Sequence, residues 1–180
     1  MIFVDFLSAR GLQSGSGGQL SRREVAKDIH EAVSYLRSQT FVRPSRIGAI
    51  GWSLGGGSIL AALGEAKSSD PPPFQAAAVF YATCRGLRAW QVKVPVLMLL
   101  GALDDATPPE HCQQLANALS PGYPIELHVY PNARHSFDRS DLPAVQRRRV
   151  RGGTTGYDPK AASQAWEQVR KFFTNHLREQ

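Results

Sequence analysis

A chain of 180 residues, 42% hydrophobic and 20% charged, is long enough for one buried core and needs no second domain. No apolar run approaches the ~20 residues that cross a bilayer, so no membrane span is expected. The formal charge of +6 raises a polyanionic partner, but much of the excess sits in QRRRVR at 146–151, and no aromatic platforms accompany a basic face, so nucleic acid is not expected.

In chain order, IFVDF at 2–6 reads as a strand rather than a leader, because no basic segment precedes it, the run is short and no small-residue cleavage site follows. The residues fix no compartment: the cytoplasm is the default, and an export signal would have to precede residue 1. After a Gly/Ser-rich linker at 11–20, Ser21 with Glu24 forms a capping box that opens a helix to about Gln39, with Val25, Ile29, Ala32, Val33 and Leu36 on one stripe. RIGAIG at 46–51 is the next strand, and Leu54 to Leu63 a short helix of small residues. Beyond the linker at 66–75 come strands at 76–81 (AAAVFY) and 94–100 (VPVLMLL), a helix from Pro109 to Leu119, and a strand at 125–130 (IELHVY). A long basic linker, 136–160, leads to a closing helix from Ala161 to Leu177, with Ala165, Val169, Phe172 and Phe173 inward. Most strand runs are continuously apolar, as in parallel strands covered on both faces. The alternation predicts a single α/β domain over 1–180, with a mostly parallel sheet of about five strands flanked by helices.

In such sheets functional groups gather at the carboxyl ends of the strands. Asp5 and Arg10, Ser53, Cys84, Asp104 with Asp105, and His135 occupy those ends here. Gly51-Trp52-Ser53-Leu54-Gly55 fits G-x-S-x-G on a strand-to-helix turn, which makes Ser53 the candidate nucleophile. A serine hydroxyl needs a neighbouring imidazole to take its proton, and the imidazole needs an acceptor to hold its tautomer. His135 in VYPNARHSFD supplies the base and Asp104 in LLGALDDATPP the orienting acid, while Asp105 or Thr107 can cap the following helix. Gly51 and Gly55 are expected to leave room where side chains would collide, and Gly56 and Gly57 to admit close helix packing. The Leu54 N–H, at the positive end of a helix, is the expected oxyanion donor. Trp52, beside the nucleophile, is a candidate substrate-binding residue. His30, His111, His128 and His176 lie in helix or strand patterns and read as surface or packing residues. Cys84 and Cys112 are too few for a disulfide framework and lack zinc spacing; two buried thiols and one disulfide both fit.

At these motifs the chain resembles the dienelactone hydrolase family of α/β-hydrolases. VDFLSARGL resembles the family's strand ending in Asp with a nearby arginine, and FVRPSRIGAIGWSLGGGS its nucleophile elbow. GALDDATPP resembles its G-x-x-D-x-x-[TV]-P acid loop, which singles out Asp104, and YPNARHSFD its Y-x-x-A-x-H-x-F histidine loop. The resemblance implies hydrolysis of small carboxylic esters or lactones through an acyl-enzyme, by Ser53, His135 and Asp104, with no metal or organic cofactor. It further implies that Arg10 binds the carboxylate of an anionic substrate and that Cys84 and Cys112 pair in a disulfide.

The chain departs from the family pattern at two places. The dienelactone hydrolases that give the family its name carry a cysteine nucleophile, whereas Ser53 stands here; oxygen depends more on general-base help, which points to plain carboxylester hydrolysis. The family's first strands, and the histidine–glycine loop that supplies a second oxyanion amide, have no counterpart, because residue 1 already lies in the strand that follows them. The N-terminally truncated sheet is therefore expected to lack a strand between 2–6 and 46–51. Either 2–6 pairs directly with 46–51, or a second chain fills the gap, as in a homodimer, or the chain is a fragment of a longer gene product. Two other functions share these residues: a non-catalytic interaction module that kept the triad, and a peptidase of the prolyl-oligopeptidase type, which usually adds a propeller or lid domain.

Overall fold

Local signals set the helices of the computed structural model, which describes residues 1–13, 19–65, 71–88, 93–119, 125–147 and 153–178. Helix α1 (Arg22–Ser38) opens on both halves of the capping box: Glu24 N–H donates to the Ser21 hydroxyl, and the Glu24 carboxylate accepts from Ser21 N–H. The Ser21 hydroxyl, which also donates to that carboxylate, and the Ser21 N–H hold the Glu24 carboxyl below its ordinary range. The buried stripe of α1 is Val25, Ala26, Ile29 and Val33. Helix α2 (Ser53–Glu65) is buried continuously from Gly56 to Leu63, as expected of a helix enclosed by α1 on one side and the sheet on the other. Helix α3 (Pro109–Ala118) carries proline at its first position, where a missing N–H costs nothing. Helix α4 (Pro159–Leu177) is capped by Asp158, whose carboxylate accepts from Lys160 N–H and Ala161 N–H at 3.0 Å each. Among the described residues, no helix is long and apolar enough to cross a membrane.

The strands β1 (Gly48–Trp52), β2 (Ala76–Phe80), β3 (Val96–Gly101) and β4 (Ile125–Tyr130) form one parallel sheet in the order β1-β2-β3-β4. Every residue of β2 and β3 is buried, which is what their unbroken apolar runs require. Alternate residues feed two cores. Val79, Met98 and Leu100 pack with α1, α2 and α3, whereas Ala78, Phe80, Leu97 and Leu99 pack with α4. The registers Trp52↔Phe80 and Gly101↔Tyr130 bring the carboxyl ends of neighbouring strands level, so the turns that leave them meet.

Residues 2–6 do not form the expected strand, and the sheet has four strands rather than about five. Among the described residues the run has no ladder partner, and its first residues are left in solvent, Ile2 42% and Phe3 81% exposed, while Phe6 packs against the core. Its Asp5 carboxylate instead accepts from Leu7 N–H and Ser8 N–H, starting a short 3-10 turn at Ser8–Arg10. Consequently 2–6 does not pair with 46–51, and β1 is the edge of the sheet among the described residues. At the other end, the stretch expected as a linker over 136–160 carries a small antiparallel pair, β5 (Gln146–Arg147) and β6 (Thr154–Thr155), with Thr155 bridging to His135. Arg147 lies in β5, and residues 148–152, with the rest of the arginine run, are outside the described residues.

Candidate active site

Strand β1 passes into α2 without a loop, and the residue at the junction must adopt a left-handed backbone. Ser53 does so, at φ 51°. The close approach depends on Gly51: a Cβ there would stand 2.6 Å from Ile59 Cδ1 and 2.8 Å from the Gly55 carbonyl carbon. The same crowding was expected at Gly55 but is absent, since a Cβ at Gly55 would point into open space. Gly57 lets α2 approach the turn after β2, where a Cβ would stand 2.5 Å from the Thr83 carbonyl oxygen. Thr83 N–H in turn donates to the Ser53 carbonyl at 3.0 Å, fixing the peptide of Ser53 itself.

The structure brings Ser53, His135 and Asp104 into one hydrogen-bonded chain. His135 Nε2 lies 3.0 Å from Ser53 Oγ, and its Nδ1 lies 2.8 Å from Asp104 Oδ2. His135 and Asp104 are 3% and 4% exposed, so this contact is shielded from water. A carboxylate accepts only, so the proton belongs on Nδ1 and leaves Nε2 a lone pair aimed at the serine hydroxyl. Asp104 is itself held: Oδ1 accepts from Ala106 N–H at 2.9 Å and from Thr107 N–H at 2.8 Å. The Thr107 hydroxyl lies 2.8 Å from Asp104 Oδ2 and 2.9 Å from the Tyr81 carbonyl, and donates its single proton to one of them.

Asp105 serves another purpose. Its Oδ1 accepts from the Thr154 N–H at 2.7 Å and from the Thr154 hydroxyl at 3.0 Å. Desolvation opposes its ionisation, but the Thr154 bonds outweigh it and hold the carboxyl below the ordinary range. The tether runs on to the histidine turn, because Thr155 bridges His135 and Gly156 N–H donates to the His135 carbonyl at 3.1 Å.

The remaining candidates are distributed around this chain. Leu54 lies in the first turn of α2, where backbone N–H groups have no intrahelical acceptor. Arg10 is not brought to the triad: its guanidinium grips Asp28 through two bonds of 2.7 and 2.8 Å and donates to the Phe6 carbonyl at 2.9 Å. Trp52 stacks on Phe80 with centroids 5.7 Å apart and donates from Nε1 to Asp138 Oδ2 at 2.9 Å. Cys84 and Cys112 form a disulfide that ties the turn after β2 to α3, with Cα atoms 5.1 Å apart.

Two residues of the site were not picked out by sequence reasoning. The Tyr81 ring lies 4.7 Å from the His135 ring, centroid to centroid, and its hydroxyl donates to Asp138 Oδ1 at 2.7 Å. Burial, with the Asp138 charge adding to it, pushes the Tyr81 hydroxyl far above the phenol range, so it remains a donor. The readable signal was an acid three residues after the candidate base, with a tryptophan and a tyrosine at adjacent strand ends.

Chemically, the arrangement can deprotonate a hydroxyl as it attacks, hold the resulting imidazolium against a buried carboxylate, and present helix N–H groups to a developing anion. The sequence profile of the dienelactone hydrolase family matches residues 11–177. A Synechocystis sp. protein with the name "Putative carboxymethylenebutenolidase" is 24% identical over 193 residues, covering 98% of this chain and 70% of its own. Among solved structures, a dienelactone hydrolase-like promiscuous phosphotriesterase from metagenomic libraries superposes with a TM-score of 0.68 at 20% identity, over 87% of this chain and 63% of its own. Thermogutta terrifontis esterase 2 phosphorylated by paraoxon superposes with a TM-score of 0.64 at 18% identity, over 89% of this chain and 66% of its own. These likenesses establish an α/β-hydrolase-like fold. The chain spans only 63% and 66% of the two solved structures.

Proposed function

The chain belongs to the dienelactone hydrolase family, and from that premise we propose that it is a serine hydrolase cleaving small carboxylic esters or lactones through an acyl-enzyme. One observation carries the reading: the unbroken Ser53–His135–Asp104 chain, with contacts of 3.0 and 2.8 Å, at the carboxyl end of a parallel sheet. Ser53 Oγ attacks the substrate carbonyl carbon while its proton passes to His135 Nε2. Asp104 keeps the Nδ1 proton hydrogen-bonded and stabilises the imidazolium without taking a proton itself. The Leu54 N–H, reinforced by the positive end of α2, donates to the oxyanion. The tetrahedral adduct collapses, the acyl–oxygen bond breaks, and the alcohol leaves with the proton from Nε2. Water then attacks the acyl-serine with Nε2 as base, releasing the acid and restoring the Ser53 hydroxyl. In a lactone the departing hydroxyl stays tethered to the acyl group, so the same steps open a ring.

Hydrolysis of p-nitrophenyl acetate and covalent labelling by a fluorophosphonate test this reading. The structural relative phosphorylated by paraoxon makes an organophosphorus probe the apt choice. Wild type is expected to turn over the ester and take the label, and Ser53→Ala to do neither. A folded wild-type chain that neither hydrolyses nor labels overturns the proposal.

A further inference from the structure

Three non-glycine residues have positive φ among the described residues: Ser53 at 51°, Tyr81 at 35° and Ser136 at 62°. Side chains disfavour this region, and such residues persist only where their surroundings over-determine them. All three sit in the turns at the carboxyl ends of the strands. Asp138 is tied to each of these turns, through a bond to Trp52, a bond to Tyr81 and its own place two residues after Ser136. Its Oδ2 accepts from Nε1 of Trp52, the residue immediately before Ser53, at 2.9 Å. Its Oδ1 accepts from the Tyr81 hydroxyl at 2.7 Å, and Asp138 itself follows Ser136 by two residues.

The consequences run into the triad. Tyr81 presents its ring to His135 and its carbonyl oxygen, 2.9 Å away, to the Thr107 hydroxyl, which touches Asp104. Trp52 and Phe80 are register partners on adjacent strands, so one carboxylate just beyond them can join both turns. We propose that Asp138 is a positioning residue: its carboxylate clamps Trp52 and Tyr81, and so holds the strained turns bearing Ser53 and His135 at reacting distance. The proposal rests on the serine-hydrolase reading, and it concerns alignment, since Asp138 contacts no triad atom through its described hydrogen bonds.

Two substitutions separate this role from plain packing. Asp138→Ala leaves the indole N–H and the phenol O–H without acceptors in a part-buried site. Asp138→Asn keeps both links, with its carbonyl accepting from the indole and its amide donating to the phenol oxygen. Misplacement of reacting groups by about 1 Å can cost on the order of 10²-fold, so Asp138→Ala is expected to lower kcat for p-nitrophenyl acetate by ~30–100-fold, leave KM within ~3-fold, and slow fluorophosphonate labelling in step. Asp138→Asn is expected to restore most of that loss. A readout independent of turnover is the proton NMR signal between His135 and Asp104, assigned by its absence in His135→Gln. It should shift or vanish in Asp138→Ala and persist in Asp138→Asn. If Asp138→Ala does not fold, Tyr81→Phe removes one clamp bond, keeps the ring, and should shift the same proton with a smaller loss of kcat. An unchanged kcat and an unmoved imidazole proton in Asp138→Ala, or equal losses in the alanine and asparagine variants, overturn the proposal. An inactive, unlabelled wild type removes the hydrolase reading, while the imidazole proton still decides whether Asp138 positions the triad.

Discussion

At the carboxyl end of β1, Ser53 is held by Thr83 through its carbonyl and by His135 through its hydroxyl, and its neighbour Trp52 by Asp138. Along the outer side of the same strand, no described residue completes a ladder, and the apolar residues 1–3 stand exposed. The contrast separates two kinds of order that one strand can carry. The triad takes its geometry from turns cross-linked by side chains across β1, β2 and the histidine loop. The β1 edge, among the described residues, takes its ladder hydrogen bonds from β2 and the rest of its support from packing against α2 and α4. The Ser53–His135–Asp104 hydrogen bonds are therefore made without a further strand among the described residues, and in the proposed mechanism the oxyanion donor is the Leu54 N–H.

The comparison breaks most sharply at Asp104. Asn at 104 can still accept the Ala106 and Thr107 N–H bonds, yet it offers His135 no charge and invites the wrong tautomer. Asp104→Asn should thus keep stability near wild type while lowering kcat on the order of 10³–10⁴-fold, read by ester turnover beside a urea melt. A loss of stability with turnover intact would make Asp104 a cap and nothing more.

Asp105 probes the brace one residue along. Asp105→Ala frees Thr154 and hence the β6 bridge to His135, and should cost below ~1 kcal/mol because the pair is exposed. The Asp105 carboxyl is held below its ordinary range, so its contribution is complete above that range and is lost as pH falls through the depressed folded-state value. Urea midpoints of wild type and Asp105→Ala should accordingly converge on acidification; a gap that widens would contradict the assignment.

The smallest effect belongs to the other region. Phe3 is 81% exposed, so Phe3→Ser should change the unfolding free energy by less than ~0.5 kcal/mol and leave kcat/KM unaltered. A marked fall in turnover would place the first residues at the site after all.

What the sequence displayed depended on whether a signal was local. The capping box of α1 and strand Ile125–Tyr130 lie where their residues predict, because each is specified within a few positions. Ser53, Asp104 and His135 were legible because each is embedded in its own short motif. Residues 2–6 misled because an apolar run says nothing about whether a neighbouring strand exists. The pairs at 146–147 and 154–155 are two residues each, too short to show an alternation. The pairing of Arg10 with Asp28, 18 residues on, is set by where α1 sits and is invisible to spacing in the sequence. Asp138 escaped notice for a similar reason, since its partners lie 57 and 86 residues earlier in the chain.

The Cys84–Cys112 bond has a consequence for the denatured chain. It closes a covalent ring with a sequence separation of 28, which encloses all of β3 and the acid turn but neither Ser53 nor His135. On a chain-entropy view, a ring of that size removes about 3.5 kcal/mol of freedom from the unfolded ensemble. In the oxidised denatured chain Asp104 therefore stays inside that ring, while Ser53 and His135 lie outside it and must come to it on refolding.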